Sequence, residues 1–252
     1  MTFMVTTTTA ASGSDSDLAA RRVIAVAHRG DPYRARENTL DSIRSALERG
    51  ADSVEIDVRV TRDGVPVLLH DVTLDRLWGH DVRLDRLTHA ELTELTGGGV
   101  PTLREALLAA GAHRVMVDLP GSTDDSVRRT VGVVRDCGAA ERTYYCAGAE
   151  AMLRVRAADP SAEIALTRTT SAPPSAALLD AVRPRWLNYR FGLVDRDLTD
   201  RLHRDGLLVS AWTADTGYTM RRLVRAGVDS VTTNRVDVLR RVLARSPAHR
   251  PA

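Results

Sequence analysis

Along residues 23–244 the chain repeats one pattern. A short apolar, β-branched run is followed by an amphipathic stretch with apolar positions three and four apart, closed by glycine or a polar turn. The runs predict strands over 23–27, 53–60, 114–119, 143–146, 163–167, 186–189, 207–212 and 230–233. The amphipathic stretches predict helices over 39–49, 102–110, 125–137, 149–158, 175–182, 195–204, 218–226 and 236–244. Asn38, Asp124 and Asp195 fall at helix starts, and Gly50, Gly111, Gly138, Gly206 and Gly227 at helix ends. Eight alternating units fit a closed (β/α)8 TIM barrel, an α/β fold, better than an open doubly wound sheet. No Gly-x-Gly-x-x-Gly follows the first strand, which removes the main support for dinucleotide binding.

One unit breaks the rhythm. After Val60, Asp63-Gly64 signals a hairpin turn and VPVLLH reads as a returning strand. A polar stretch then runs over 71–99, with a short helical piece near 89–95. This predicts an insertion on the loop after strand two, at the carboxyl-end face where barrel active sites form. The expected organisation is a disordered tail over 1–20 and a single barrel domain over 21–246.

Composition narrows the chemistry. The 252 residues carry a net charge of +2, with 43% hydrophobic and 27% charged positions, which is ordinary for a soluble globular protein. No block of like charges suggests nucleic acid. All 35 basic residues are arginine. Schiff-base chemistry and a P-loop lysine are therefore excluded, and an anionic ligand must be held by guanidinium groups. Two cysteines, Cys137 and Cys146, make neither a zinc cluster nor a disulfide framework. The first twenty residues lack a signal-peptide apolar core, and no run is long enough to span a membrane; the expected location is the cytoplasm.

The chemistry-bearing residues gather at predicted strand ends. Glu55 and Asp57 are two apart in SVEIDVRV, so a strand puts both carboxylates on one face while Val54, Ile56 and Val58 point the other way. Side by side they repel unless a cation sits between them or one is protonated. The plain alternative is a solvated strand face. The apolar opposite face and the histidines on neighbouring elements favour a metal-assisted hydrolytic site. Asp118 ends strand three and completes three carboxylates without a thiolate, a hard-oxygen set for one divalent cation, Mg²⁺ or Ca²⁺. His28 and His70, each beside a charged residue, read as an acid/base pair. His80, His89, His113, His203 and His249 read as structural.

The order HRG at 28–30, EN at 37–38, E-x-D at 55–57, HD at 70–71 and PTL at 101–103 resembles the glycerophosphodiester phosphodiesterase family. VSAWT at 209–213 and GVDSVTTN at 227–234 extend the likeness over nearly all of 23–243. The resemblance implies a (β/α)8 barrel that uses a divalent cation to hydrolyse glycerophosphodiesters to glycerol 3-phosphate and an alcohol. It implies His28 and His70 as catalytic, Glu55, Asp57 and Asp118 as metal ligands, and Arg29 as phosphate holder. Glu37 and Asn38 would shape the substrate site, with Glu37 near Arg29 or the metal.

The chain departs from the family pattern at strand three, where E-x-K is replaced by Asp118-Leu119-Pro120. One cation is thereby lost, and Arg168 and Arg190, ending strands five and six, are the expected substitutes, Arg168 foremost. Trp212, ending strand seven, is expected to wall the substrate pocket. The expected partner is a small phosphodiester. Two other readings are a cyclising lyase acting on a specialised phosphodiester, and a catalytically impaired barrel that binds a phosphorylated ligand.

Overall fold

The computed structural model describes residues 22–245, so the expected tail over 1–20 and His249 lie outside the described residues. Eight parallel strands close on themselves: β1 (Ile24–His28), β2 (Ser53–Val60), β6 (Arg114–Asp118), β7 (Thr143–Ala147), β8 (Glu163–Arg168), β9 (Trp186–Arg190), β10 (Leu208–Trp212) and β11 (Ser230–Thr233). Each pairs in parallel with the next, and β11 returns to β1. Between them run α1 (Leu40–Glu48), α4 (Leu103–Ala110), α5 (Asp124–Asp136), α6 (Ala149–Ala158), α7 (Ala176–Val182), α8 (Arg196–Arg204) and α9 (Gly217–Ala226), and α10 (Val236–Ala244) follows β11. This is the expected TIM barrel.

Strand alternation sorts the side chains into two cores. Val54, Ile56, Val115, Val117, Leu166, Leu187, Tyr189 and Val231 face the helix layer. Val26, Met116, Tyr144, Cys146, Ala165 and Trp186 fill the barrel interior. Above this plug the interior turns polar, and that is where the cavity opens.

The segment after β2 spans the expected residues but carries more secondary structure than expected. The returning strand β3 (Pro66–Leu68) pairs antiparallel with β2. It is followed by a small hairpin, β4 (Thr73–Leu74) and β5 (His80–Arg83), with α2 (Asp75–Trp78) between its strands, and by α3 (His89–Thr96). Val67, Leu69, Leu74, Leu84, Leu87, Leu92 and Val100 give this segment its own apolar cluster, which lets it stand rigidly on the barrel rim.

One expected cap is corrected. Thr39, not Asn38, caps α1, its hydroxyl accepting from the Ser42 N–H. Asn38 has φ 56°, outside the extended conformation an N-cap needs. Asp124 sits in the first turn of α5, capped by Thr123, and Asp195 caps α8.

Candidate active site

The cavity, about 530 Å³, opens at the carboxyl ends of the strands. His28, Arg29, Glu55, His70, Asp118 and Trp212 line it, with Thr167, Asn188 and Thr232 on the opposite strands and Arg154 at its edge.

Glu55, Asp57 and Asp118 each offer an oxygen within 4.8 Å of the others. They meet because β2 and β6 pair in register, Glu55 beside Met116 and Asp57 beside Asp118. Glu55 and Asp57 are almost wholly buried, and Asp57 Oδ1 has no hydrogen-bond partner. Burial, then repulsion from Asp57 and Asp118, pushes the Glu55 carboxyl well above its ordinary range. Asp118 is pushed up to about 7 by burial and by Asp57. Two buried acids and a half-buried third that repel one another, one with an orphaned oxygen, form a cluster short of positive charge.

The first loop braces this cluster. At Gly30 a Cβ would lie 2.7 Å from the Ser42 carbonyl oxygen, so only glycine lets the loop pack against α1. Arg29 takes φ 58°, a conformation rare outside glycine that is retained where the surroundings enforce it. Its backbone N–H donates to Glu55 Oε2 at 2.9 Å, and its Nε lies 3.1 Å from Asp57 Oδ2 as an ion pair without a linear hydrogen bond. Asn38 donates from Nδ2 to Asp57 Oδ2 at 2.8 Å and accepts from the Asp57 N–H at 3.2 Å. Asn38 therefore orients a carboxylate and does not line the cavity. Glu37 bonds Arg29 Nη1 at 2.8 Å and is gripped from the other side by Arg76. Despite burial, Arg76 and Arg29 hold its carboxyl below the usual range.

The two histidines have opposite supports. His28 Nδ1 lies 2.9 Å from Asn234 Oδ1. The amide is oriented by Asp215, which accepts from Asn234 Nδ2 and from its backbone N–H, both at 2.8 Å. Oδ1 is thus an acceptor, His28 Nδ1 is the donor, and the Nε2 lone pair points toward Glu55, 4.0 Å away. Burial and the Arg29 charge lower the His28 pKa, against opposing effects from Asn234, Asp57 and Asp215. His70 Nδ1 instead lies 2.8 Å from the Asp71 carboxylate, which accepts from it and orients the ring. Asp71 is in turn bound by Arg76 Nε at 2.5 Å.

Arg168 and Arg190, like Glu37 and Asn38, do not line the cavity. Thr167 faces the barrel interior, so its neighbour Arg168 turns outward beside Tyr189, where its Nη2 donates to the Ala172 carbonyl. Arg190 ends β9 at the rim and is exposed. Arg154 from α6 borders the cavity instead, tied to the Ser122 carbonyl, Asp124 and Glu150. Trp212 stands in the wall, its Nε1 donating to the Asn188 carbonyl at 3.4 Å.

Fold and site together define a (β/α)8 barrel whose mouth carries an acid cluster flanked by two histidines. The glycerophosphoryl diester phosphodiesterase family pattern matches residues 28–238. The chain is 32% identical over 240 residues to Probable glycerophosphodiester phosphodiesterase 2 of Mycobacterium tuberculosis, covering 87% of this chain and 90% of that protein. It is 25% identical to the glycerophosphodiester phosphodiesterase of Caldanaerobacter subterraneus, over 86% of this chain and 96% of the other. Among solved structures, an Oleispira antarctica phosphodiesterase in complex with the product sn-glycerol-3-phosphate superposes with a TM-score of 0.78 at 23% identity, covering 87% of this chain and 96% of that one. The chain belongs to the glycerophosphoryl diester phosphodiesterase family, a family of phosphoric diester hydrolases.

Proposed function

We propose that this chain, acting as one barrel over 21–246, hydrolyses glycerophosphodiesters to glycerol 3-phosphate and an alcohol with the help of one divalent cation. The observation that carries the reading is the meeting of the acid cluster with two differently supported histidines in one cavity.

Glu55, Asp57 and Asp118 would hold the cation, and the orphaned Asp57 Oδ1 and the all-oxygen donor set fit Mg²⁺ or Ca²⁺. When bound, such an ion supplies Lewis-acid polarisation of a phosphate oxygen. His28, with Nε2 unprotonated, takes the proton from the neighbouring glycerol hydroxyl as that oxygen bonds to phosphorus. His70, oriented by Asp71, delivers a proton to the alcohol oxygen as the second P–O bond breaks. Water then opens the resulting cyclic phosphate, and the histidines exchange roles. Arg29 lies beside the cluster and faces the phosphate. Among the described residues no helix is long and apolar enough to cross a membrane, and the proposed substrates are small soluble diesters.

The test is release of glycerol 3-phosphate from a panel of glycerophosphodiesters, followed by phosphorus NMR. A product mixture that stops at the cyclic phosphate would identify a lyase. Absence of turnover on every diester would leave only ligand binding.

A further inference from the structure

Two cavities meet at the turn that follows β6. The second, about 520 Å³, lies between the end of β2, the β5 end of the inserted segment and the start of α5. Pro120, Gly121 and Ser122 line both cavities, so the turn is a shared wall. Its inner face looks on the reacting centre and its outer face on this second cleft.

The guanidinium groups that line the two cavities are paired with carboxylates, with one exception. Arg29 is paired with Glu37 and Asp57, and Arg154 with Glu150 and Asp124. In the second cleft Arg62 is paired with Glu91 and Arg83 with Asp85, while Asp125 is taken by Arg129. Arg59 is the remaining guanidinium. Its Nε donates to the His70 carbonyl at 2.8 Å, and among the described residues no carboxylate lies within ion-pair distance of it. It is half-buried, at the end of the face that carries Glu55 and Asp57. Asp57, Asp71 and Asp118 attract it from beyond ion-pair distance, but its burial outweighs them, and an arriving anion offsets that cost. Gly121 keeps the group open to the cleft, since a Cβ there would already stand 3.4 Å from Arg59 Nη1.

The position of this charge relative to the reaction sets what the anion is. His70 protonates the leaving alcohol under the proposed reading, on which this inference rests, and Arg59 holds the main chain of that same histidine. Arg59, which lines the cleft, therefore reaches across to the residue at which the alcohol departs. We infer that the cleft is a subsite for a leaving alcohol bearing an anionic group, a phosphate or a carboxylate, received by Arg59. Such a charge-assisted, forked contact to an oxyanion is what guanidinium geometry suits best.

The test uses three diesters: glycerophosphoglycerol, its terminal phosphate ester, and the analogue ending in a carboxylate. Wild type is expected to favour both anionic diesters over glycerophosphoglycerol by roughly tenfold in kcat/KM. Arg59→Met loses a bond to the His70 carbonyl and slows on all three, but its preference ratio falls to near one; Arg59→Lys keeps part of the preference. Should Arg59→Met fail to fold, Gly121→Asp carries the test. Aspartate tolerates the φ of 63° and presents Arg59 with a carboxylate, so the preference falls while Arg59 stays in place. A wild-type ratio near one, or an unchanged ratio in the variants, overturns the subsite. Calorimetric titration of the three diesters into wild type and Arg59→Met in EDTA separates this from the reaction. Tighter binding of the anionic diesters to wild type alone supports the subsite even if none is hydrolysed, and equal binding overturns it.

Discussion

Arg76, on the short helix α2 of the inserted segment, forks onto Glu37 of the first loop, with Nη2 2.7 Å from Oε1 and Nη1 3.1 Å from Oε2. The same guanidinium holds Asp71, which holds His70, and Glu37 holds Arg29. One side chain thus ties the inserted segment, one of the two cavity histidines and the arginine beside the acid cluster into a single network.

Removing that fork should misplace two reacting groups at once. Arg76 is 47% exposed, so its ion pairs add at most about 1 kcal/mol to stability. Arg76→Met is expected to lower kcat/KM roughly 10–100-fold with little change in Tm, because small misplacements at a reacting centre are costly. Arg76→Lys should recover only part, since an ammonium cannot fork onto both carboxylates. A rate within twofold of wild type for Arg76→Met would mean the network does not position the site.

The histidines should be separable by pH. His28 must be neutral to accept a proton, and burial lowers its pKa from 6.5, so the acid limb of kcat/KM is expected below about pH 6.5. His28→Ala should lower kcat by roughly 10²–10⁴ and remove that acid limb from what remains. His70→Ala should lower kcat by roughly the same factor but keep the acid limb. If the acid limb is lost in His70→Ala and kept in His28→Ala, the roles are exchanged.

Cation binding should release protons. Metal-free Asp118 titrates near 7 and Glu55 is also raised, so below neutrality the cluster carries protons that a cation must displace. Apparent affinity for Mg²⁺ or Ca²⁺ should therefore rise with pH through about 7, where Asp118 gives up its proton. Calorimetry in two buffers of different ionisation heat should show more proton release at about pH 6 than at about pH 8. Equal affinity at both, without proton release, would contradict the assignment of the cluster. Asp57→Ala should abolish binding.

Arg168 and Arg190 stand away from the cavity, so Arg168→Ala and Arg190→Ala are each expected to keep kcat/KM within about twofold. Arg29→Met should lose roughly 10²-fold or more, since a guanidinium beside developing phosphate charge acts in a partly dry site. A loss of 2–3 kcal/mol in Arg168→Ala, the size of a charge-assisted hydrogen bond, would restore it to the substrate site.

These residues also show what the sequence made legible. The barrel was readable because each strand is a β-branched run and each helix an amphipathic one; β2 and β11 fall at their expected limits. Other ends differ by a residue because His28, Ala147, Arg168 and Arg190 still pair in the ladder at the rim. The carboxylates and histidines were readable because strand alternation gathers Glu55 and Asp57, and because their chemistry is rare at strand ends. The same alternation places Arg168 outside once Thr167 is known to face in, but the apolar run before it does not reveal which parity points inward. The support behind His28 could not be read: Asn234 is 206 residues away and meets it only when β11 closes on β1. Arg154 reaches the cavity from a helix, and Arg76 from an insertion with no periodicity of its own.

The most direct measurement of the central claim is hydrolysis of a glycerophosphodiester by the protein stripped with EDTA, then resupplied with Mg²⁺ or Ca²⁺, with glycerol 3-phosphate as the quantified product. Wild type should be inactive when stripped and recover on resupply, while Glu55→Ala and Asp57→Ala should stay inactive at any cation concentration tried. Full glycerol 3-phosphate release by the stripped protein would contradict the claim, as would wild-type turnover in either variant.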